Sequence, residues 1–238
     1  MRIAVISDIH GNGLALEAVL EHIKDQGVDM TLNLGDMVSG PMEPGRTAQL
    51  LFEADFPTIS GNHERYLIGN GALDLVDRFA RSELAPHHLD WFSALPGTLS
   101  VNGDILMTHG TPRDDSTPWL DGWFRGRNVT LPDEAAVTAE AEGFDFPVIL
   151  CGHTHVPRSV RLRDGRLVVN PGSVGLQMFY GSPDARYAIV ERRAGKWSVM
   201  QLAIPYDHEA AGRQAVRHGF PQWTEVLTTG WAGAEGLF

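Results

Sequence analysis

The sequence is poor in cysteine, in basic charge and in long apolar runs, and each shortage removes a class of protein. Cys151 is the single cysteine among 238 residues, so no internal disulfide forms and the usage suits a reducing compartment. It also excludes a cysteine-rich structural zinc site. No stretch is apolar for long enough to span a bilayer. The first residues, "MRIAVISD", enter a strand pattern at once rather than a signal peptide. A cytoplasmic protein with no membrane partner is the expectation. Lysine and arginine number 19 against 30 acids, a formal charge of −11. A nucleic-acid binder needs a clustered basic face, and the densest basic run, Arg158 to Arg166, is broken by Asp164 and by apolar residues. Internal repeats, low-complexity tracts and linkers are missing too, so one domain over 1–238 is expected.

Short apolar runs alternate instead with helical patterns, the mark of an α/β sheet that leans parallel. "IAVIS" (Ile3–Ser7) precedes a helix whose Leu16, Val19, Leu20 and Ile23 share one face. "MTLNL" (Met30–Leu34), "FPTIS" (Phe56–Ser60), "DILMT" (Asp104–Thr108) and "PVILC" (Pro147–Cys151) read as further strands. Ala48–Ala54 reads as a helix, and Arg65 to Leu95 as mainly helical. Asp114 to Asn128, rich in Trp, Gly and charge, reads as a long loop or cap. There Trp119, Trp123 and Phe124 are expected to pack the loop down, with stacking on a nucleobase or phenol as the alternative. A helix follows Pro132. Later, "RSVRLRDGRLVVN" and "RYAIVERRAGKWSVMQLAI" read as hairpins. The tail from Pro205 holds a short helix and a weakly patterned end, where Trp223, Trp231 and Phe238 suit an interface with a second copy.

Each of the five strand candidates ends in side chains able to bind a metal: Asp8 with His10, Asp36, Asn62 with His63, His109, and His153 with His155. Ligands of open α/β sheets gather at the carboxyl ends of strands, so residues spread over the sequence converge on one edge. Singly, each has a plainer reading: a turn carboxylate, a helix cap at Asn62, a core histidine at 109. Two imidazoles as close as His153 and His155 repel when charged and are costly to bury unpaired, and a shared cationic centre removes that conflict. Carboxylate, amide oxygen and imidazole suit Mn²⁺, Fe, Co²⁺, Ni²⁺ or Zn²⁺, with manganese preferred, rather than Ca²⁺. Even seven of these side chains are too many for one such ion and fit two. A pair roughly 3.5–4 Å apart forms the clamp used for in-line displacement at phosphorus, polarising the phosphoryl oxygen and activating a bridging water.

The series Asp8-Ile9-His10, Gly35-Asp36, Gly61-Asn62-His63-Glu64, His109 and Gly152-His153-Thr154-His155 resembles the calcineurin-like metallophosphoesterase superfamily. "SDIHGN" and "NPGSVG" (Asn170–Gly175) are similar to its small bacterial and archaeal phosphodiesterases. The likeness covers roughly Arg2 to Val190. It implies an α/β fold built as a β-sandwich of mixed sheets flanked by helices. It also implies a phosphoesterase, with hydrolysis of a phosphodiester favoured and a small phosphoester, such as a nucleotide, as substrate. By matched position, Asp8, His10 and His155 hold one metal, Asn62, His109 and His153 the other, and Asp36 bridges them. A bridging hydroxide attacks phosphorus, and His63 protonates the leaving oxygen, a role that contributes about 10²–10⁴-fold. Glu64 orients His63 by a hydrogen bond; many small members have Asp there. Asn12 and Arg113 are candidate substrate contacts, Arg113 otherwise pairing with Asp114 or Asp115. "GNHE" also resembles the serine/threonine protein phosphatases, but "GDMVSGP" (Gly35–Pro41) lacks the arginine with which they grip phosphate. Relatives that handle dinucleoside polyphosphates, and others that serve as non-catalytic assembly scaffolds, give the alternative functions.

Overall fold

The computed structural model describes residues 1–121, 131–178, 181–231 and 237. Two mixed sheets stack face to face. The first has the order β2 (Met30–Asn33), β1 (Arg2–Ile6), β8 (Ala185–Arg193), β9 (Lys196–Ile204). The second runs β3 (Leu99–Val101), β4 (Ile105–Met107), β5 (Val148–Leu150), β7 (Leu167–Asn170), β6 (Arg158–Arg161). Parallel pairing joins β1 to β2, β4 to β5 and β5 to β7, while every other pair is antiparallel. The parallel lean of the sequence is confined to β1, β2, β4, β5 and β7, the first four of which precede candidate ligands.

Alternation of side chains explains the layering. On β1, Ile3 and Val5 meet Leu32, Ile105, Met107, Val148, Leu150, Leu167 and Val169 between the sheets. Ala4 and Ile6 point the other way, into Leu16 and Val19 of α1 (Gly13–Lys24) and Leu51 of α2 (Pro44–Ala54). On the second sheet Leu106, Ile149 and Val168 face outward and are covered by Trp119, Leu120 and Val137 of α6 (Glu134–Glu140). The result is a β-sandwich with helices on both outer faces, the architecture the motif resemblance implies.

The segment Phe56–Ser60 is not a strand. Pro57 has no N–H to give a ladder, and the segment meets β2 through a single parallel bridge between Thr58 and Asn33. It still runs alongside β2, with Asn33 N–H donating to Pro57 O and Ile59 N–H to Asn33 O. Three helices fill the stretch read as helical: α3 (Asn62–Ile68), α4 (Leu75–Ser82) and α5 (Pro86–Ala94). The tail holds two helices rather than one, α7 (His208–Arg217) and α8 (Trp223–Thr229). They bury Trp223 completely, against Met42, Val76 and Leu176, so Trp223 is core and not an interface residue. Trp231 is exposed, and Phe238, Trp123 and Phe124 lie outside the described residues. No helix among the described residues is long and apolar enough to cross a membrane.

Candidate metal centre

Six of the seven candidate ligands sit where a strand stops and the chain turns sharply. Asp8 and His10 follow β1, Asp36 follows β2, His109 follows β4, and His153 and His155 follow β5, while Asn62 opens α3. Five of them have left-handed backbone: Asp8 (φ 55°), His10 (48°), Asp36 (52°), His153 (66°) and His155 (61°). That region costs a non-glycine residue about 1–2 kcal/mol, and such residues collect where function over-determines the backbone. Hydrogen bonds between the loops hold them there. Asp8 N–H donates to Gly35 O at 3.0 Å, His10 N–H to Asp36 O at 3.1 Å, and Gly175 N–H to Asp8 O at 3.1 Å. His153 N–H reaches the Asp8 carboxylate at 3.1 Å.

Ring orientation follows from the acceptors behind each imidazole. Nδ1 lies 2.7 Å from a backbone carbonyl in His10 (Ser39 O), His109 (Leu34 O) and His155 (Leu176 O). A carbonyl only accepts, so these Nδ1 atoms carry hydrogen and each neutral ring presents a lone pair at Nε2. His153 is the reverse: its Nε2 donates to Ser116 O at 2.9 Å, which leaves the lone pair on Nδ1. Nε2 of His10 and Nε2 of His155 then face each other at 3.2 Å. Burial drives the pKa of His10 down to about 4, and burial together with His10 holds His155 well below the ordinary histidine range. Neither ring protonates readily to relieve the opposition, and a cation between them does.

Carboxylates complete two groups of donors. Asp8, His10 and His155 form one and Asp36, His109 and His153 the other, the atoms of each within 4.8 Å of one another. Asp8 Oδ1 is 3.4 Å from His155 Nε2, and Asp36 Oδ2 lies 3.0 Å from His109 Nε2 and 4.0 Å from His10 Nε2. Asp36 therefore sits between the two groups. Burial raises the Asp8 pKa to about 7. Burial also opposes charge on His109, yet Asp36 and Asp8 outweigh it and raise that ring to about 10. Asn62 is buried and its Oδ1 has no hydrogen-bond partner among the described residues. A buried amide oxygen without a partner at the residue before His63, together with the imidazoles and carboxylates of the two groups, is a donor set that fits divalent transition metals.

The remaining sequence candidates divide. His63 lies at the cluster, its ring centroid 5.3 Å from that of His10 and its backbone N–H donating to Asp36 Oδ1 at 3.0 Å. Glu64 does not orient it. The fully buried Glu64 carboxylate accepts three backbone N–H groups, from Asp36 (2.8 Å), Met37 (2.7 Å) and Gly61 (2.9 Å). At the third position of α3 it closes a capping box, and it ties the Asp36 loop to the Asn62 helix. Burial, with Asp36 nearby, raises its pKa. Among the described residues, the carboxylate that meets the His63 ring is Asp77 on α4, with Oδ1 3.1 Å from Nδ1. Burial works against charge on His63, but Asp36, Asp77 and Glu64 together raise it to about 9. Nothing in the sequence marks Asp77, since "DLVD" (Asp74–Asp77) reads only as a helix start.

Asn12 does not face outward to a ligand either. Its Oδ1 caps α1 at Ala15 N–H and its Nδ2 donates to Gly175 O and Tyr206 Oη. Arg113 pairs with neither Asp114 nor Asp115: it donates to the carbonyls of Glu140 and Glu142 and lies over the Phe144 ring. Arg65 takes Asp115, with both nitrogens engaged. Trp119 packs inward and donates Nε1–H to Val137 O at 3.1 Å. Thr154 turns away from the cluster to Asp121 and Asn170. Cys151 is buried beneath it, with its thiol pushed up by burial.

The chain is similar to known proteins over most of its length. A model of the calcineurin-like phosphoesterase superfamily domain matches residues 1–195. The chain is similar to the metallophosphoesterase from Sphaerobacter thermophilus, with a TM-score of 0.79 and 28% identity over 97% of this chain and 99% of that one. An uncharacterized protein of Methanocaldococcus jannaschii is 26% identical, over 93% of this chain and 94% of its own. A Pyrococcus horikoshii protein shares the fold, with a TM-score of 0.78 at 19% identity over 98% and 99% of the two chains. All five ligand blocks fall within the matched residues, and the chain belongs to the calcineurin-like phosphoesterase superfamily.

Proposed function

We propose that the protein is a dinuclear-metal phosphodiesterase in which His63 donates the proton to the leaving oxygen. The observation that carries this reading is the opposed pair of lone pairs on His10 and His155 beside a second donor group, with a protonatable ring at their edge. One metal is held by Asp8, His10 and His155, the other by Asn62, His109 and His153, with Asp36 shared. Bound there, the two cations supply Lewis acidity toward the phosphoryl oxygen and lower the pKa of water. Asp36 also accepts the His63 N–H, so the residue that joins the two groups also fixes the start of α3. Asp77, which is no metal ligand and lies 3.1 Å from His63 Nδ1, favours the protonated ring, the form that can give a proton.

A diester suits the charge around the site. Arg65 is committed to Asp115, and Arg113 to two backbone carbonyls. Neither offers the extra positive charge that a monoester dianion needs over a diester monoanion. The packing of α7 and α8 onto Met42, Val76 and Leu176 supports one domain reaching into the tail. Bis(p-nitrophenyl) phosphate with added Mn²⁺ or Ni²⁺ tests the reading. Turnover with either metal, exceeding that on p-nitrophenyl phosphate, is expected. His63→Ala should keep two metals by elemental analysis and lose about 10²–10⁴-fold on esters with poor leaving groups. No turnover with any divalent metal leaves only a scaffold role on this fold.

A further inference from the structure

The ring of His63 is held from a helix that contains none of the family's blocks. Asp77 Oδ1 lies 3.1 Å from His63 Nδ1, and Asp77 is 2% exposed. Its placement is built locally. Asp74 is the N-cap of α4, and its Oδ1 accepts the Asp77 N–H at 2.7 Å. An acid in the third position of a helix ordinarily turns back to the cap or to the first N–H groups. Asp77 turns away from its own helix to an imidazole on α3. A carboxylate taken out of water is costly unless a partner answers it, and the His63 ring is the partner here.

We propose that Asp77 is the positioning residue for His63: it fixes the rotation of the ring and engages Nδ1–H, so that Nε2 is the atom presented to the substrate. The inference rests on His63 as the proton donor. In the step it serves, hydroxide, formed from water by loss of one proton to solvent, bonds through its oxygen to phosphorus, and the P–O bond to the leaving group breaks. The leaving oxygen keeps that electron pair and takes the proton from His63 Nε2. Asp77 gives up no proton; it keeps its bond to Nδ1–H throughout and steadies the ring before and after the transfer. Removing it lets the ring rotate, which slows proton donation without touching a metal ligand.

The test uses the full chain at one fixed pH, with Asp77→Ala, Asp77→Asn and His63→Ala. Phosphodiesters carrying p-nitrophenyl and then progressively poorer alkyl leaving groups are the substrates. For Asp77→Ala, kcat should fall about 10–100-fold, as for other residues that orient a catalytic side chain. KM should stay unchanged, the metal content should remain two, and the loss should deepen as the leaving group worsens. Asp77→Asn should lose less, because its amide oxygen still accepts from Nδ1–H; it also answers the question if the alanine variant does not fold. A second readout needs neither metal nor turnover. In metal-free protein, a downfield imidazole N–H proton resonance should vanish in both His63→Ala and Asp77→Ala. Equal losses on every leaving group, a lost metal, or survival of that resonance in Asp77→Ala overturns the proposal. If His63→Ala itself shows no dependence on leaving group, the proton-donor reading falls and takes this one with it. If only the Asp77 variants fail to show it, His63 stands and Asp77 does not.

Discussion

Glu64→Gln separates two roles that the sequence does not distinguish. The wild-type carboxylate accepts Met37 N–H on Oε1, and Asp36 N–H and Gly61 N–H on Oε2, at 2.7–2.9 Å. Glutamine has one acceptor oxygen, so whichever way the amide turns, at least one buried N–H faces an NH₂ group. Losing one bond to a charged acceptor costs about 1.5–3 kcal/mol, and the other two weaken from charged to neutral, about 1 kcal/mol each. Against this, the substitution removes a buried carboxylate whose pKa burial and Asp36 already raise. The net loss is about 2–3 kcal/mol, and for a chain of this size each kcal/mol lowers Tm by about 2–4 °C. A drop of about 4–12 °C by calorimetry is expected in metal-free protein. Metal affinity should fall about 10–100-fold in titrations, because the Asp36 loop and the Asn62 helix lose their common tie. A variant with unchanged Tm and metal affinity, but a leaving-group-dependent loss like that of His63→Ala, refutes the reasoning. It would mean that Glu64 acts through the ring after all.

Chelation should destabilise the loaded protein strongly. Each site held at 100 times its Kd contributes about 2.7 kcal/mol, so removing two metals should lower Tm by about 10–20 °C, and an unchanged Tm on chelation argues against resident metals. Gly175→Ala should weaken metal binding although Gly175 is no ligand. A Cβ there would fall on the carbonyl oxygen of Ile9, between Asp8 and His10, and overpacking of this kind costs about 1–3 kcal/mol; wild-type metal affinity in this variant shows that the loop yields.

Strand ends and hairpins were legible because their signals are local. β1 and β5 are runs of apolar residues broken by a ligand, and the β8–β9 and β6–β7 hairpins announce themselves through Ala194-Gly195 and Asp164-Gly165. Phe56–Ser60 reads as a strand because its apolar content is that of one, while Pro57 withholds the donor a ladder needs. Six of the seven metal-ligand candidates fall into two donor groups because parallel pairing within each sheet gathers strand ends. Their supports were not legible. Asp77 acts across a gap between two helices, and Glu64 spends its carboxylate on backbone donors that no side-chain pattern reveals. Arg113 and Asn12 are polar residues near the motifs, and sequence cannot show that each is already satisfied by a carbonyl or a helix end. Trp223 was placed on the surface because the tail lacks periodicity, yet two short helices together bury what one would leave exposed.

The two histidines of "CGHTHVP" show how little of a metal centre resides in the ligand list itself. His153 and His155 are one residue apart and share nearly the same backbone conformation, φ 66° and 61°. Their rings nevertheless meet opposite supports, since the loop carbonyl of Ser116 takes Nε2–H from His153 and the carbonyl of Leu176 takes Nδ1–H from His155. One ring therefore presents Nδ1 and the other Nε2, and they join different donor groups. Ser116 belongs to the loop after β4 and Leu176 to the turn after β7, so the tautomers are set by segments about 40 and 20 residues away. The strained backbone supplies the positions, and the distant carbonyls supply the chemistry. Five left-handed residues at about 1–2 kcal/mol each amount to about 5–10 kcal/mol, comparable to the whole stability of a domain. A strain of that size persists where the loops are over-determined by their hydrogen bonds, and where a cation between opposed lone pairs returns part of it on binding.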